Sequence, residues 1–305
     1  MLRIEDVRMF VRATQLESFS SVAREAGLLP AQVSAAISRL EKELGVSLFV
    51  RTTRTIRLTK EGNTYLPYAN EMLEVIKAGR ESLDSHSGVL KGLIKISMPS
   101  DIGRSTLLPI ISSFCKKHTG ISVQLIFTDA VSDIHRDPVD VAVRYGILPD
   151  KSYVALPLAD YNRRILVASP DYLERHGEPH SLEEVPSRDC ILFTLNGHPY
   201  GTWSFYDKGK KHSISVKSRF VCNDSETTRR LALEGVGIGY KSWLDVHADI
   251  DRKALVPVLP HFKGESNPLS FICPHRSQLN PATRSLYSEF KSHFDKLARH
   301  FTLTN

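Results

Sequence analysis

The stretch from Ser18 to Thr59 constrains the fold more than any other part of the chain. It reads Ser-Phe-Ser-Ser-Val-Ala-Arg-Glu-Ala-Gly from Ser18, then Pro-Ala-Gln-Val-Ser-Ala-Ala-Ile-Ser-Arg-Leu-Glu-Lys-Glu-Leu-Gly from Pro30. Leu-Phe-Val-Arg-Thr-Thr-Arg-Thr-Ile-Arg-Leu-Thr follows from Leu48. Two short helical patterns joined at a glycine, followed by a basic two-stranded hairpin, predict a winged helix-turn-helix. Such a unit is small enough to enter a DNA groove and basic enough to stay there.

A first helix is expected over residues 4–14, with Val7, Phe10 and Val11 on its buried stripe. Ser20 is expected to cap the second helix, Val22, Ala23 and Ala26 to pack inward, and Gly27 to end it. The third runs over residues 30–44. Pro30 suits its first turn, where the missing amide hydrogen would be unpaired in any case. Val33, Ile37, Leu40 and Leu44 form one apolar face, leaving Ala31, Gln32, Ser34, Ala35, Ser38, Arg39 and Lys42 on the other. Small residues there let the backbone approach base edges, and Gln32 and Ser34 supply hydrogen bonds.

A three-helix core with an incidentally polar outer face is the plainer explanation. Against it stand the lack of acidic residues from Pro30 to Leu40 and the spacing of Arg51, Arg54 and Arg57 at every third position. Six Lys or Arg against two Glu between Arg39 and Lys60 add phosphate attraction. The expected DNA-facing set is therefore Ser20, Ala31, Gln32, Ser34, Ala35, Ser38, Arg39, Arg51, Thr52, Arg54 and Arg57.

The full length of 305 residues allows two or three domains, and the net charge of +6 suits a polyanionic partner. No apolar run approaches the roughly 18 residues of a membrane span. The first residues do not read as a signal peptide, so a cytoplasmic protein without a membrane partner is expected. Cys115, Cys190, Cys222 and Cys273 lie far apart and read as free thiols, with a redox pair as the alternative.

Leu66, Ala69, Leu73, Ile76 and Leu83 alternate by 3 and 4 residues, with Arg80 at the one missing position. That spacing predicts a helical seam that pairs two copies over residues 60–90. The alternative is a lone helix packed on its own chain. Pro67 should bend the helix or lie near its start, and residues 84–88 read as a hinge.

From Leu93 the pattern alternates strand and helix, which predicts βαβ units and a largely parallel sheet. Strands are expected at 93–98, 121–127, 139–144 and 164–168. A helix is expected near 105–118, ended by Gly120, and a last one is opened by Asn280 and Pro281. Ligands bind open α/β sheets at the carboxyl ends of strands. Ser100 and Asp101, Thr128 and Asp129, Arg144, and Asn223, Asp224 and Ser225 occupy such places. Ser100, Asp224 and Ser225 also have the composition of simple helix caps, and Asp101 weighs against an anionic ligand. Gly235-Val-Gly-Ile-Gly follows a helix and opens a strand, the reverse of a dinucleotide loop. His176 and His180 are separated by Gly177 and Pro179, which exclude a shared helical metal face. No metal or resident cofactor is expected, and no catalytic set that would make the chain an enzyme.

The ordered series of helix-turn-helix, Leu48-Phe-Val-Arg-Thr-Thr-Arg and Ile56-Arg-Leu-Thr-Lys-Glu-Gly resembles the LysR-type transcriptional regulators. So do Gly92-Leu-Ile-Lys-Ile-Ser-Met-Pro, Asp140-Val-Ala-Val-Arg-Tyr-Gly, Ala168-Ser-Pro-Asp-Tyr-Leu and Glu234-Gly-Val-Gly-Ile-Gly, which covers nearly the whole chain. Leu29 replaces the usual Ser or Thr cap, and Ala35 stands where an Arg is common.

The resemblance implies an α/β protein with a winged helix-turn-helix (1–59), a linker helix (60–90) and an effector domain (91–305). That domain would be two-lobed and periplasmic-binding-protein-like (type II). Lobe one would comprise 91–161 and 268–305, and lobe two 162–267. A small-molecule effector between the lobes would touch Asn196, Thr202, Gly237 and Ile238 besides the residues above. The implied partners are double-stranded DNA, further copies of the chain as dimer and tetramer, and RNA polymerase if the protein activates. A vestigial or redox-responsive sensing domain, and a non-regulatory solute-binding module, are the competing functions.

Overall fold

The computed structural model describes residues 2–51, 56–84, 90–129, 139–146, 153–195, 197–274 and 278–304. The chain divides into two compact units, Met1–Ser87 and Gly88–Asn305. No described helix is long and apolar enough to cross a membrane.

In the first unit, α1 (Ile4–Leu16), α2 (Phe19–Ala26) and α3 (Pro30–Leu44) pack around Val7, Phe10, Val22, Val33, Ile37 and Leu40. Burying each such side chain contributes about 1.5–3 kcal/mol. The cap of α2 is Ser18, whose hydroxyl accepts from the Ser21 amide at 3.2 Å, and not Ser20, which is exposed. The chain enters α2 two residues earlier than expected, and Phe19 at its start packs against Phe49, ring centres 5.6 Å apart. Ala26 is exposed rather than inward, since Gly27 ends the helix there in the left-handed region at φ 65°. Strands β1 (Phe49–Arg51) and β2 (Ile56–Leu58) pair antiparallel, Val50 opposite Arg57, and form the wing.

Helix α4 (Lys60–Asp84) starts before Pro67 and continues through it. Gly62 is required where α4 meets the wing, because a Cβ would lie 2.2 Å from the Leu48 carbonyl oxygen. Tyr65, Leu66, Ala69, Met72 and Leu73 pack on the core of their own unit. The first half of the expected pairing seam is thus covered within the chain, because Phe10 and Tyr65 need the same apolar floor (5.6 Å between rings). Farther along, Val75 is 54% exposed and Ile76 is half-buried. The side chains of Arg80 and Leu83, and hinge residues 85–88, lie outside the described residues.

The second unit holds two sheets. The first has the order β4 (Gly120–Phe127), β3 (Lys91–Met98), β5 (Val141–Tyr145), β16 (Leu269–Cys273), β6 (Val154–Ala159). The second runs β12 (Phe220–Cys222), β8 (Cys190–Leu195), β13 (Ile238–Ser242), β7 (Arg164–Ala168), β14 (Val256–Val258). The short β9 (His198–Pro199) pairs with β8, and a hairpin, β10 (Thr202–Asp207) with β11 (Lys210–Ser215), joins β15 (Lys263–Gly264) in a third small sheet.

The sheets are mixed, not largely parallel. β3 runs parallel to β4 and β5, and β8 to β12 and β13, but β16 and β7 are antiparallel to their neighbours. β7 and β16 are the strands that begin just after the chain crosses between the sheets, and they enter from the opposite end. At the two crossings the Asn162 side-chain amide donates to Ser242 Oγ (2.9 Å) and to the Asn267 carbonyl (2.6 Å), tying the strands together.

After β3 the helix begins earlier than expected, as α5 (Ser100–Ile102). It passes through a π-helical turn (Gly103–Leu107) into α6 (Leu108–Lys117), and Gly120 opens β4 rather than ending the helix. The remaining helices are α7 (Pro170–His176), α8 (Ser225–Leu233), α9 (Trp243–Asp251) and α10 (Pro281–Thr304). Asn280 caps α10, its side-chain oxygen accepting from the Thr283 amide at 3.0 Å, and Leu286, Phe290 and Phe294 are fully buried beneath the first sheet.

Candidate functional site

Two surfaces qualify, one in each unit. In the first, α3 turns Ala31, Gln32, Ala35, Ser38, Arg39 and Lys42 outward, with Ser34 half-buried at the edge of that face. With Leu29 as N-cap no side chain caps the helix from its own position. Instead the Gln32 side-chain oxygen accepts from the Leu29 amide at 2.8 Å, which leaves the Gln32 NH2 as the outward donor.

Arg39 is held in a bidentate pair with the buried carboxylate of Asp6, at 2.6 and 3.0 Å. Its side chain remains 48% exposed, so the guanidinium is positioned and still faces solvent. Glu41 points the other way, its carboxylate accepting from the Leu48 and Phe49 amides (2.8 and 3.2 Å) and fixing the start of the wing. One of the two acids counted against the basic face is therefore spent inside. Arg57 is exposed on β2, and Arg51 ends β1. The side chain of Arg51, and Thr52 and Arg54 altogether, fall outside the described residues.

In the second unit the carboxyl ends of both sheets face each other around a cavity of about 60 Å³. Its lining includes Asp129, Arg144, Tyr145, Arg164, Ser225, Ser242 and Asp245. Asp129 lies across the junction. It accepts from the Ser100 amide (3.0 Å), the Ser100 hydroxyl (2.8 Å) and, at the N-terminus of α8, the Ser225 amide (2.8 Å). The Ser100 hydroxyl in turn accepts from Ser225 and Glu226 amides at 3.0 and 3.2 Å. A carboxylate of the chain thus occupies the donors that would attract an anion. Arg104 reinforces the junction with a 2.9 Å pair to Glu226. Arg144, buried, donates to the Val143 carbonyl (2.8 Å) and Ser97 hydroxyl (2.6 Å).

Behind this layer lies a buried charge cluster. Lys241 Nζ is 2.9 Å from Asp101 and 3.8 Å from Asp245, and it donates to the Ser225 carbonyl and hydroxyl, both at 2.7 Å. Burial pushes the Asp101 carboxyl up to about 7, against the pull of Lys241. Burial likewise raises Asp245, whose carboxylate accepts from the Tyr145 hydroxyl at 2.6 Å. Arg229 pairs with the buried Asp249 at 2.5 and 2.8 Å.

The sequence-derived residues distribute unevenly. Asp129, Arg144 and Ser225 line the cavity and Ser100 is bonded to Asp129 beside it, whereas Asp101 sits in the wall behind. Asp224 is the N-cap of α8, accepting from the Thr227 amide at 2.7 Å. Asn223 and Thr202 are exposed away from the cavity lining, Ile238 is core, and Thr128 is tied by its amide to the Met98 carbonyl (2.9 Å). Gly237 packs where a Cβ would lie 2.4 Å from the Asp189 carbonyl, a structural requirement and not a ligand contact. Asn196 lies outside the described residues. Tyr145, Lys241 and Asp245 were missed. Lys241, a lysine inside the apolar strand Ile238–Ser242, was the available signal.

Among the described residues no group of three or more His, Cys, Asp or Glu could hold a metal ion. Burial pushes the Cys190 and Cys273 thiols up to about 12, which disfavours the reactive thiolate.

Comparison with known proteins decides the family. Residues 4–63 match the bacterial regulatory helix-turn-helix protein, lysR family, and residues 87–295, over half the chain, match the LysR substrate binding domain. The chain belongs to the LysR family of transcriptional regulators. It is 31% identical over 264 residues to the transcriptional regulator DmlR of Escherichia coli K12, covering 87% of this chain and 86% of that one. It is 32% identical over 256 residues to CrgA of Neisseria meningitidis, with 84% of each covered. The solved structure of CrgA aligns over 95% of this chain and 99% of its own with a TM-score of 0.60 at 28% identity. ArgP of Mycobacterium tuberculosis, at 17% identity and TM-score 0.69 over 96% of this chain and 98% of its own, shares the fold. The LysR-type regulator carries a helix-turn-helix that implies DNA binding and a substrate-binding domain that implies a small-molecule effector.

Proposed function

We propose that this regulator reads double-stranded DNA with the outer face of α3, phosphates being held by Arg39, Arg51, Arg54 and Arg57. Gln32 and Ser34 contact base edges, with Ser20, Ala31, Ala35, Ser38 and Thr52 lining the same approach. The observation that carries this is the α3 face itself, small and polar outside, with its one strongly fixed cation, Arg39, aimed at solvent by Asp6. Functionally the chain divides into a reader (1–59), a linker (60–90) and a sensor (91–305). Its role is regulation in the cytoplasm, not catalysis.

Two copies pair through the distal part of α4, beyond Leu73, since Val75 is exposed and Ile76 only half-buried there. Pairs of sensors then assemble tetramers, and RNA polymerase is the partner if the protein activates. The effector enters between the sheets of the sensor by displacing Asp129 from Ser100 and Ser225, because about 60 Å³ is too small for a metabolite.

Footprinting of the full-length protein on the DNA upstream of its own gene should show protected half-sites about one helical turn, or a multiple of it, apart. No protected region, or protection independent of sequence, would refute the reading. Ile76→Asp should lower the oligomeric state in sedimentation and weaken DNA binding together; an unchanged oligomer moves the interface elsewhere.

A further inference from the structure

A second, larger cavity lies beside the first. It holds about 490 Å³ between α6 and α10 of one lobe and α8 and α9 of the other. Asp245 lines both cavities, so the wall between them is the Lys241–Asp101–Asp245 cluster already described. The volume falls in the range that takes small metabolites, whereas the first cavity does not.

Its charge is unbalanced in one direction. Arg229 is matched by Asp249, Glu289 by Lys117 at 2.7 Å, and Asp245 by Tyr145 and Lys241. Among the described ion pairs Lys296 has no carboxylate partner; burial lowers the pKa of His293, and the neighbouring His247 and Lys296 add to that in smaller measure. His293 Nε2 is itself buried with no hydrogen-bond partner, although the residue is only half-buried. Pro109, Ile110 and Leu244 supply an apolar floor, and Ala248 lies exposed at the rim.

We infer that this groove is a second ligand site, taking an organic monocarboxylate whose carboxylate meets Lys296 and whose apolar body rests on Ile110 and Leu244. An occupant presses on α9, which carries Asp245 into the wall of the first cavity, so the site is placed to alter how the lobes close. This inference goes beyond the interlobe effector and does not depend on it.

Calorimetry on the full-length protein with hexanoate and phenylacetate, and with neutral hexanamide as control, tests it. Both carboxylates should bind and hexanamide should not. Lys296→Gln should weaken binding by about tenfold or more, the loss of one charge-assisted contact. Ala248→Trp, which fills the groove from an exposed position, should abolish it. Ser100→Ala, which loosens the lobe junction, should change the affinity far less than Lys296→Gln does. Hexanamide binding as well as hexanoate, no carboxylate binding at all, or binding that survives Ala248→Trp would each overturn the assignment. Loss in Ser100→Ala with retention in Lys296→Gln would place the anion in the first cavity, leaving the proposed effector site standing and this one refuted.

Discussion

The α3 face and the junction between the sensor lobes are both built at helix N-termini from small polar residues, yet they are finished in opposite ways. At α3 the polar groups point out, and the one buried acid, Asp6, serves to aim Arg39 at solvent. At the junction the polar groups point in, and Asp129 fills the place a ligand anion would take. A surface meant for a polyanion present throughout the cell can be left open. A site meant to respond to a scarce solute must be satisfied without it, or its buried donors would remain unpaired.

Four substitutions sharpen or break this contrast. Lys241→Ala should have the largest effect, because it leaves Asp101 and Asp245 buried beside each other without their cation. Breaking a buried pair in this way costs about 3–5 kcal/mol, read as a fall in the urea midpoint of the sensor transition. A loss below about 1 kcal/mol would mean that water reaches the cluster.

Gln32→Glu comes next. The carboxylate still caps the Leu29 amide, so stability should hold, while the outward NH2 donor is gone. Discrimination at one base position should fall by about 1–3 kcal/mol in competition binding. Equal weakening on specific and random DNA would move the reading face elsewhere. Arg57→Ala should leave stability within about 0.5 kcal/mol, and lower the slope of log affinity against log salt by about one.

The last effect concerns pH. The folded state raises Asp101 above its ordinary carboxylate value to about 7, so its contribution is fully present in acid and is lost as pH rises through about 7. Asp101→Asn should therefore gain melting temperature relative to the parent between about pH 4 and pH 7 and run parallel above it. A difference that is flat with pH would show Asp101 ionised throughout.

The reader was largely legible in the sequence, for a physical reason. Its core repeats at helical spacing, Val33, Ile37 and Leu40, and its turn needs Gly27 in a backbone region other residues avoid. What escaped was pairing over distance: Ser18 displaced Ser20 as cap because Phe19 packs on the wing, and Glu41 turned inward to hold it. In the sensor, strand ends located Ser100, Arg144 and Ser225. The antiparallel entry of β7 and β16, and the convergence of Asp101, Tyr145, Lys241 and Asp245, depend on which ends of distant strands meet. Periodicity carries no information about that. The linker shows a third case: Ala69 and Leu73 cover their own unit, and only later positions remain for the proposed pairing with a second copy.

Asp129 has one more consequence. In the proposed displacement it is a tethered competitor, facing its donors at an effective concentration of about millimolar or higher, fixed by the chain and not by the cell. An effector's apparent dissociation constant is then its intrinsic value divided by the small fraction of molecules in which Asp129 has let go. Substitutions that loosen or tighten that carboxylate, without touching any effector contact, reset the solute concentration at which the regulator answers. The response threshold and the identity of the solute are thereby separately adjustable traits of one protein.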